Sequence, residues 1–396
     1  MKILFLNHNV VRRSGTYFRA FQAGRHLVQR GHAVTQLSIS AQRRWGFERE
    51  VSQGVEIVHT PDLLWGRGRT GWDPWDTLNR IIRLRGQAWD IIHAWDCRPA
   101  VIFPALYARA QSRSRTGRLL TDWADWWGRG GTQAERVDGL PKGLIGPVET
   151  YFEEAFRTRA DGCTAGSRAL LERARGLGVR PDRLWLLPQG CEVDGPDLIE
   201  RAAARRQLGL APDGPLLVSV GALTRSDADL LFASLRQLFQ RRPEVRFFII
   251  GQPGVPVPPD LQAAPQLILT GYVSEADLRL YMAACDGLLV AMADTLASRA
   301  RWPSKVNPFL AAGRTTVITA VGDLAELLRQ HQAALVARAE PEDIVANLER
   351  LFDEPGLREQ CERQARWVAH EILAWPKLAA DLEQAYFLVR GGGKID

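Results

Sequence analysis

Cysteine is scarce in this 396-residue chain, and the few cysteines stand alone. There are five of them, and none forms a Cys-x-x-Cys pair. An odd number of widely spaced cysteines argues against a disulfide framework or a structural zinc site. It is typical of isolated thiols in a reducing compartment. The five positions are Cys97, Cys163, Cys191, Cys285 and Cys361.

Long apolar runs are missing as well. The first strand-like run, at residues 3–6, breaks off at Asn7, His8 and Asn9, and it is too short for the apolar core of a signal peptide. No run approaches the length of a membrane-spanning helix. With 46% hydrophobic and 24% charged residues, the composition is that of an ordinary soluble protein, and the length suits two domains. We therefore expect a cytoplasmic protein.

Lysine is rare, since only five of the 51 basic residues are lysine. Residues 1–195 contain 29 Lys and Arg against 20 Asp and Glu, whereas residues 196–396 contain 22 against 25. A basic first half would attract an anionic acceptor, such as a lipid phosphate, or an anionic membrane surface. Ordinary solvated arginines explain the same excess. Because the basic residues are scattered and no nucleic-acid module is legible, we expect no nucleic-acid partner.

The chain opens with the pattern of a βαβ unit. A strand-like run at residues 3–6 is followed by a loop with Gly15 and Thr16, an amphipathic stretch to residue 29 and a second strand at residues 33–37. Glycine lets the backbone approach a ligand closely. Gly15 and Thr16 are therefore candidate ligand contacts, and a plain capped helix is the alternative interpretation.

Polar side chains follow two further strand-like runs of the first half. His93 and Asp96 stand at the end of the run at residues 89–96, and Asp122 and Asp125 follow Leu119 and Leu120. Open α/β sheets bind ligands at the carboxyl ends of their strands. We expect His93 and Asp96 to lie near a ligand, with a buried core position as the alternative for His93.

The second half repeats the alternation of strands and helices. Apolar runs at residues 216–221 and 247–251 end in glycine, and a third lies at residues 267–273. Such runs are typical of parallel strands buried on both faces. The sequence therefore predicts an α/β protein with two parallel sheets.

A basic loop with two prolines, at residues 301–308, leads into a short apolar helix that ends at Gly313. Arg301 and Lys305 lie beside the predicted helix N-terminus. Unpaired backbone N–H groups and positive charge converge at such a place. The loop therefore predicts a phosphate site.

The same loop resembles the donor-binding segment of the retaining, GT-B-fold glycosyltransferases of family 4. That family carries a Pro-x-Lys-x-x-Glu-Tyr-x-Ala-x-Gly-Lys-Pro-Val-Val pattern before a Val-Gly loop. The resemblance extends over residues 1–389 and is strongest at 149–194 and 267–389. The positions in register are Pro303, Lys305, Phe309, Ala311, Gly313, Arg314, Val317, Val321 and Gly322.

The resemblance implies the GT-B fold, with two Rossmann-like domains facing across a cleft. The acceptor domain would comprise residues 1–192, joined by a C-terminal helix at residues 376–390. The nucleotide-sugar donor domain would comprise residues 193–375, and residues 391–396 would form a tail.

The activity implied by the resemblance is transfer of a sugar from a nucleotide diphosphate sugar to a glycan or lipid-linked acceptor. The anomeric configuration would be retained, with no cofactor and no metal. Catalytic residues would be His93, Asp122 and Asp125, acceptor or loop contacts Gly15, Thr16 and Asp96, and donor contacts Gly221, Arg225, Arg299, Arg301, Lys305 and Asn307.

The chain departs from the family at its donor site. Ala222 stands where the family usually has an arginine, and Ser226 or Asp227 stands where it usually has a lysine. Its two glutamates, which reach the donor sugar and the nucleotide ribose, fall at Ala300 and Pro308. These changes leave a second interpretation open, a catalytically lost homologue that serves as a partner or regulatory subunit. A GT-B nucleotide-sugar epimerase is a third.

Nine of the 13 tryptophans precede residue 130, and three lie in the glycine-rich insert at residues 65–75. Exposed tryptophan with arginine suits carbohydrate stacking or a membrane interface. Tryptophans folded beneath the insert are the alternative. The first interpretation adds peripheral contact at the inner membrane face to the expected cytoplasmic location.

Overall fold

The structure is a computed structural model that describes residues 1–13, 15–63, 70–112, 117–132, 142–195 and 197–391, without the side chains of residues 142–144. It divides into two compact units. The first extends to Gln189 and includes the chain from Trp375 onward, and the second is Gly190–Ala374. Residues 65–69 of the tryptophan-rich insert and residues 392–396 of the predicted tail lie outside the described residues.

Helices separate most of the strands in both units. In chain order, helices α1 to α15 of the described residues are Gly15–Gln29, Pro74–Leu84, Pro99–Gln111, Lys142–Ala155, Arg168–Gly176, Arg201–Gln207, Arg225–Arg241, Pro259–Gln262, Glu275–Ala284, Leu296–Ala300, Asn307–Ala311, Gly322–Gln330, Pro341–Asp353, Pro355–Glu371 and Trp375–Gly391.

Several of these helices begin where the sequence supplies a cap. Asp73 accepts a hydrogen bond from the backbone N–H of Trp75, with Pro74 as the first residue of α2. Thr224 caps α7 and Ser274 caps α9 in the same way. Each cap satisfies a backbone N–H that has no partner inside the helix, so these residues determine where the helices begin.

The first unit contains an eight-stranded sheet in the order β3-β4-β2-β1-β5-β6-β7-β8. All neighbours are parallel except β3, which is antiparallel to β4. The chain order reverses between β1 and β5, which makes this the switch point of the sheet. Strands β1 to β8 are Lys2–Val10, Ala33–Ile39, Glu48–Ser52, Val55–Thr60, Ile91–Ala94, Arg118–Trp123, Gly162–Ala165 and Leu184–Leu186.

Both faces of this sheet are covered, so β1 is apolar on both sides. Ile3 and Phe5 belong to one buried cluster with residues of α1 and α15, and Leu4 and Leu6 belong to another with residues of α3. Glu383 of α15 forms an ion pair with Arg30 and a hydrogen bond with His32, both just before β2, and thus holds the C-terminal helix on the first unit.

Strand β1 is longer than the sequence predicts. It continues to Val10 across Asn7, His8 and Asn9, with an irregular register between Leu6 and Val10. The polar side chains are accommodated because Asn7 bonds to a backbone carbonyl of the following helix and accepts from the N–H of Asn9. The predicted break after residue 6 was therefore wrong, since these hydrogen bonds offset the burial of the Asn7 amide group.

The second unit contains a six-stranded parallel sheet in the order β11-β10-β9-β12-β13-β14. Gly221 and Gly251 follow β9 and β10, as the apolar runs ending in glycine predicted. The two predicted parallel sheets are confirmed. Strands β9 to β14 are Leu216–Val220, Arg246–Ile250, Leu267–Gly271, Gly287–Val290, Thr316–Thr319 and Leu335–Ala337.

All five cysteines are buried as free thiols. Burial raises the pKa of Cys97, Cys191 and Cys285 to about 12 and that of Cys361 to about 11. The thiolate form is therefore suppressed in the folded chain.

Among the helices that the structure describes, none combines the length and the apolar character needed to cross a bilayer.

Candidate functional site

The second unit places Lys305 against Gly221, at the carboxyl end of β9. Gly221 has φ +82°, in the left-handed region, and a Cβ at this position would collide with the end of the Lys305 side chain. Lys305 Nζ also donates to the carbonyl oxygen of Ala222 at 3.3 Å. Glycine is thus required here by the backbone conformation and by the space that the lysine occupies.

The Lys305 ammonium group is partly withdrawn from water, although part of the residue is exposed. Burial, and to a smaller extent the positive charge of Arg301, lower the pKa of Lys305 to about 8 against the opposing charge of Asp227. An ammonium group in such surroundings is stabilised when an anion approaches it. The geometry therefore favours an anion at Gly221.

Arg301 provides a second cation at this place. Its Nη2 donates to Asp227 Oδ2 at 2.5 Å, and Asp227 Oδ1 accepts from the backbone N–H of Ala293 at 2.9 Å. The charges are exchanged relative to the family pattern. Helix α7 carries the carboxylate of Asp227 near the position of the family's lysine, and the loop carries the positive charge of Arg301. Arg301 Nε is buried without a hydrogen-bond partner in the part of the chain that the structure describes, so it remains an unused donor.

Two further predicted donor contacts are exposed arginines. Arg225 begins α7, and Arg299 forms two hydrogen bonds with Asp294, at 2.6 and 2.8 Å. At the family's two glutamate positions, Ala300 is completely buried at the end of α10, and Pro308 is exposed in the first turn of α11. Neither position presents a carboxylate or any other hydrogen-bonding side chain.

The amide group of Asn307 forms hydrogen bonds within the protein through both its nitrogen and its oxygen. Its Nδ2 donates to the carbonyl oxygen of Gly190 at 2.8 Å, and its Oδ1 accepts from Trp302 Nε1 at 3.2 Å. A contact between Asn307 and a donor hydroxyl stays a prediction, and one that would have to compete with these two bonds.

In the first unit, a polar cluster lies at the switch point between β1 and β5. Asp96 has φ +154°, a rare conformation for a residue other than glycine, and its Oδ1 accepts from the N–H of Cys97 at 2.5 Å. Its Oδ2 lies 3.2 Å from His8 Nδ1 and 3.3 Å from Arg98 Nε. Neither contact is aligned as a hydrogen bond, and His8 Nδ1, Arg98 Nε and Asn9 Oδ1 are buried without a partner among the described residues. Such a cluster at the carboxyl edge of a sheet suits a polar ligand.

His8 is neutral at physiological pH. Burial lowers its pKa well below the usual value, and the positive charges of Arg98 and Arg80 act in the same direction. His8 and Asn9 were not predicted as site residues because the first strand was expected to end at residue 6, and their position beside the opening βαβ unit was the available signal. Arg98 was not predicted either, and its position two residues after Asp96 was the available signal.

Asp122 lies in β6 and is 1% exposed. Arg19 of α1 donates to both of its oxygens, at 3.0 and 3.1 Å, and the Thr164 hydroxyl donates to Oδ1 at 2.6 Å. Burial alone would raise the pKa of Asp122, but Arg19 and these hydrogen bonds outweigh it and lower the pKa below its usual value. A carboxylate engaged in this way positions its neighbours.

His93 belongs to the same buried network. Its Nδ1 lies 2.7 Å from the Tyr386 hydroxyl and its Nε2 lies 3.2 Å from the Thr164 hydroxyl. Burial lowers the pKa of His93 to about 4, against the opposing charge of Asp122. The structure thus brings His93 and Asp122 together in the interior of the first unit, and their catalytic role stays a prediction.

The remaining predicted contacts are Asp125, in the loop after β6, and Gly15 and Thr16, in the first turn of α1. Asp125 is exposed after β6. The Thr16 carbonyl accepts a hydrogen bond from Asn7 at 2.9 Å, and a Cβ on Gly15 would meet no atom within 4 Å. No neighbouring described residue therefore requires glycine at position 15.

The described ranges contain no group of three or more His, Cys, Asp or Glu side chains arranged to hold a metal ion.

Comparison with known proteins places these features in a family. A model of Glycosyltransferase Family 4 matches residues 15–194, and a model of Glycosyl transferases group 1 matches residues 214–354. The D-inositol 3-phosphate glycosyltransferase of Actinosynnema mirum is 28% identical over 252 residues, which are 59% of this chain and 59% of that protein. The match therefore spans about three fifths of that relative's length.

Solved structures resemble the whole chain at low sequence identity. Sucrose-phosphate synthase from Thermosynechococcus elongatus has a TM-score of 0.74 at 15% identity, covering 99% of this chain and 100% of that one. Anabaena HepE, solved in complex with UDP and glucose, has a TM-score of 0.67 at 14% identity, covering 97% and 98%. The chain has the GT-B fold of glycosyltransferases, as the sequence predicted. It belongs to the group 1 glycosyltransferases of family 4.

Proposed function

We propose that this chain is a glycosyltransferase that moves a sugar from a nucleotide diphosphate sugar to a glycan or lipid-linked acceptor with retention of configuration. The observation that carries the proposal is the convergence of Lys305 and Arg301 beside Gly221, where Asp227 is a partial counter-charge. Anabaena HepE was solved with UDP and glucose, and this supports a nucleoside diphosphate as the leaving group.

The two cations would act on the charge that develops in the reaction. The bond between the anomeric carbon and the diphosphate breaks, and the acceptor hydroxyl oxygen forms the new bond to that carbon. The hydroxyl proton passes to the departing diphosphate. Positive side chains held in place before the reaction stabilise this charge without reorganisation. Lys305 and Arg301 can supply that stabilisation without a metal or cofactor.

The polar cluster of the first unit is part of the proposal as an acceptor site. His8, Asn9 and Arg98 carry buried polar atoms without partners, and Asp96 lies among them. Hydroxyl or phosphate groups of an acceptor would satisfy these atoms. Asp122 and His93, which are buried in a network with Arg19, Thr164 and Tyr386, would act as positioning residues.

Transfer itself is tested by incubating the chain with UDP- and GDP-sugars and measuring release of the nucleoside diphosphate. Glycan and lipid extracts serve as acceptors, and mass spectrometry identifies the product. Release that depends on an acceptor supports the proposal. Nucleotide binding without transfer to any acceptor would instead favour the catalytically lost partner subunit, in line with Ala222, Ala300 and Pro308.

Nucleoside diphosphate binding should weaken as the pH rises above 8. Lys305 is protonated below its pKa of about 8, and a bound diphosphate raises that pKa because it stabilises the ammonium form. UDP affinity should then change little between pH 7 and 8 and fall above pH 8, by at most about tenfold per pH unit. Calorimetry at pH 7, 8 and 9 measures this. Lys305→Ala should flatten the profile, and an unchanged wild-type affinity at pH 9 would contradict the assignment.

A cytoplasmic location with contact at the inner membrane face is also part of the proposal, and an aromatic patch supports it. Phe103 and Tyr151 are 40% and 52% exposed, and their rings both pack edge-on against Phe152, at 5.7 and 5.6 Å. Arg159 adds positive charge, 5.6 Å from the ring of Phe156. Aromatic rings with adjacent arginine suit an anionic lipid surface.

The double variant Phe103→Ser with Tyr151→Ser should bind vesicles of phosphatidylcholine and phosphatidylglycerol about tenfold more weakly or worse, because two apolar side chains no longer enter the interface. Co-sedimentation measures the loss. Phe387→Ser removes a ring that is 53% exposed on α15 and should bind like the wild type. Equal losses in both variants would argue against the aromatic patch.

A further inference from the structure

The second unit carries a groove that the proposed function does not use. Its volume is about 910 Å³, and it is lined by residues 197–198, by the turn after α11 and by one face of α14. Gly313 and Arg314 of that turn precede β13, so the groove lies at the amino ends of the strands. Gly221 and the loop with Arg301 and Lys305 lie at the carboxyl ends. The groove is therefore separate from the donor site.

Helix α14 presents a row of exposed side chains to this groove. Glu359, Arg363, Trp367 and His370 follow one another at intervals of four, four and three, which places them on one face of the helix. Glu359, Arg363 and His370 form no hydrogen bond or ion pair within the described ranges. Trp367 is 45% exposed, and its ring packs against His331 at 5.1 Å between centroids. A flat apolar ring thus stands among free polar groups.

Other groups around the groove are held by the fold. Arg314 donates to the backbone carbonyls of Met282 and Ala283 at 3.0 and 3.1 Å, and Glu362 pairs with Arg201 at 3.3 Å. Such contacts reduce the side-chain freedom that a ligand would otherwise have to remove. The site is therefore partly organised before anything binds.

The charges in the groove nearly cancel. Four carboxylates and three guanidinium groups line it, together with His370. A polyanion would meet the carboxylates and a lipid chain would meet charged walls, so neither suits the groove. A neutral ligand with many hydroxyl groups suits it, because guanidinium groups donate to hydroxyls, carboxylates accept from them and an aromatic ring packs on the C–H face of a sugar.

We propose that this groove is a second carbohydrate site, which holds a neutral glycan on the Trp367 ring. It goes beyond the proposed transfer reaction and needs no turnover, so its failure leaves that reaction untouched. Its role would be to keep a glycan on the enzyme apart from the donor site.

The test is affinity electrophoresis of the full chain in gels containing dextran, amylopectin or galactomannan, with polygalacturonate as the anionic comparison. At least one neutral polysaccharide should retard the wild type, and Trp367→Ala should weaken the binding about tenfold or more, which is the size of effect expected when one aromatic contact is removed. Arg363→Ala, which removes an exposed side chain without internal bonds, should also weaken it. Trp45→Ala removes a ring that is 68% exposed in the first unit and should change nothing.

Several results would overturn the proposal. These are no retardation by any neutral polysaccharide, retardation by polygalacturonate alone, or equal binding by wild type and Trp367→Ala. A result from sedimentation velocity would also overturn the proposal. A dimer of the wild type that is lost in Trp367→Ala would show that the groove binds a second copy of this chain.

Discussion

The double variant Lys305→Ala with Arg301→Ala should bind UDP or GDP at least about a hundredfold more weakly than the wild type. Each hydrogen bond to a charged group contributes about 1.5–3 kcal/mol, and 1.4 kcal/mol corresponds to a factor of ten. Removing Arg301 also leaves Asp227, whose side chain is 4% exposed, without its ion-pair partner and facing the diphosphate. Titration calorimetry measures the loss.

Two control variants distinguish the loss of positive charge at the site from a general effect of removing an arginine. Arg350→Ala removes an exposed arginine of α13 that pairs with Glu354, and it should leave the affinity unchanged. Adding Asp227→Asn to Arg301→Ala should recover part of the affinity, because it removes the unpaired carboxylate. Tight nucleotide binding that survives loss of both cations would place the diphosphate elsewhere.

Arg19→Ala should lower the free energy of unfolding of the first unit by about 3–5 kcal/mol, the usual cost of leaving a buried charge without its partner. Arg19 is 2% exposed and binds both oxygens of Asp122 as well as the carbonyls of Leu187 and Pro188. Scanning calorimetry measures the effect as a shift of one melting transition, since a chain with two units need not unfold in one step.

The matched control is Arg25→Ala, on the same helix but partly exposed, which should cost less than about 1 kcal/mol. Arg19→Ala with Asp122→Asn should be more stable than Arg19→Ala alone. A loss below 1 kcal/mol for Arg19→Ala would mean that the network is not an important source of stability.

The same pair predicts how the loss varies with pH. The pKa of Asp122 is lower in the folded chain than its usual value, so the pair stabilises the fold above about pH 4 and this stability disappears as the pH falls through the folded pKa. Without Arg19, burial would instead raise the pKa of Asp122. The difference between wild type and Arg19→Ala should therefore be largest at neutral pH and shrink toward pH 4.

The alternation of apolar runs and helical stretches was sufficient to predict both parallel sheets, because strands buried on two faces leave a continuous hydrophobic run in the sequence. Strand β3, Glu48–Ser52, was not predicted. It is polar, lies at the edge of the sheet and is mostly exposed, so it leaves no such run. The extension of β1 was missed for a similar reason, since the strand includes asparagine and histidine near its end.

The ion pairs of the site could not be predicted from the order of residues. Arg19 is 103 residues from Asp122, and Asp227 is 74 residues from Arg301. Asp122 was expected to act in the reaction because of the family resemblance, and nothing nearby in the sequence indicated a buried arginine partner. In the sequence, Asp227 stands near the position where the family carries a lysine. Only the structure shows that Arg301 of the loop lies beside Asp227 and supplies a positive charge there.

The burial of all five thiols gives the chain a set of internal reporters of local opening. Cys97 and Cys163 lie in the first unit, and Cys191, Cys285 and Cys361 lie in the second. The thiolate of a cysteine attacks an alkylating reagent and displaces its leaving group, so modification of each buried cysteine must wait until the structure around it opens. The rate at which each cysteine gains a label, followed by peptide mass spectrometry, would thus give the opening free energy of either unit without any engineered probe.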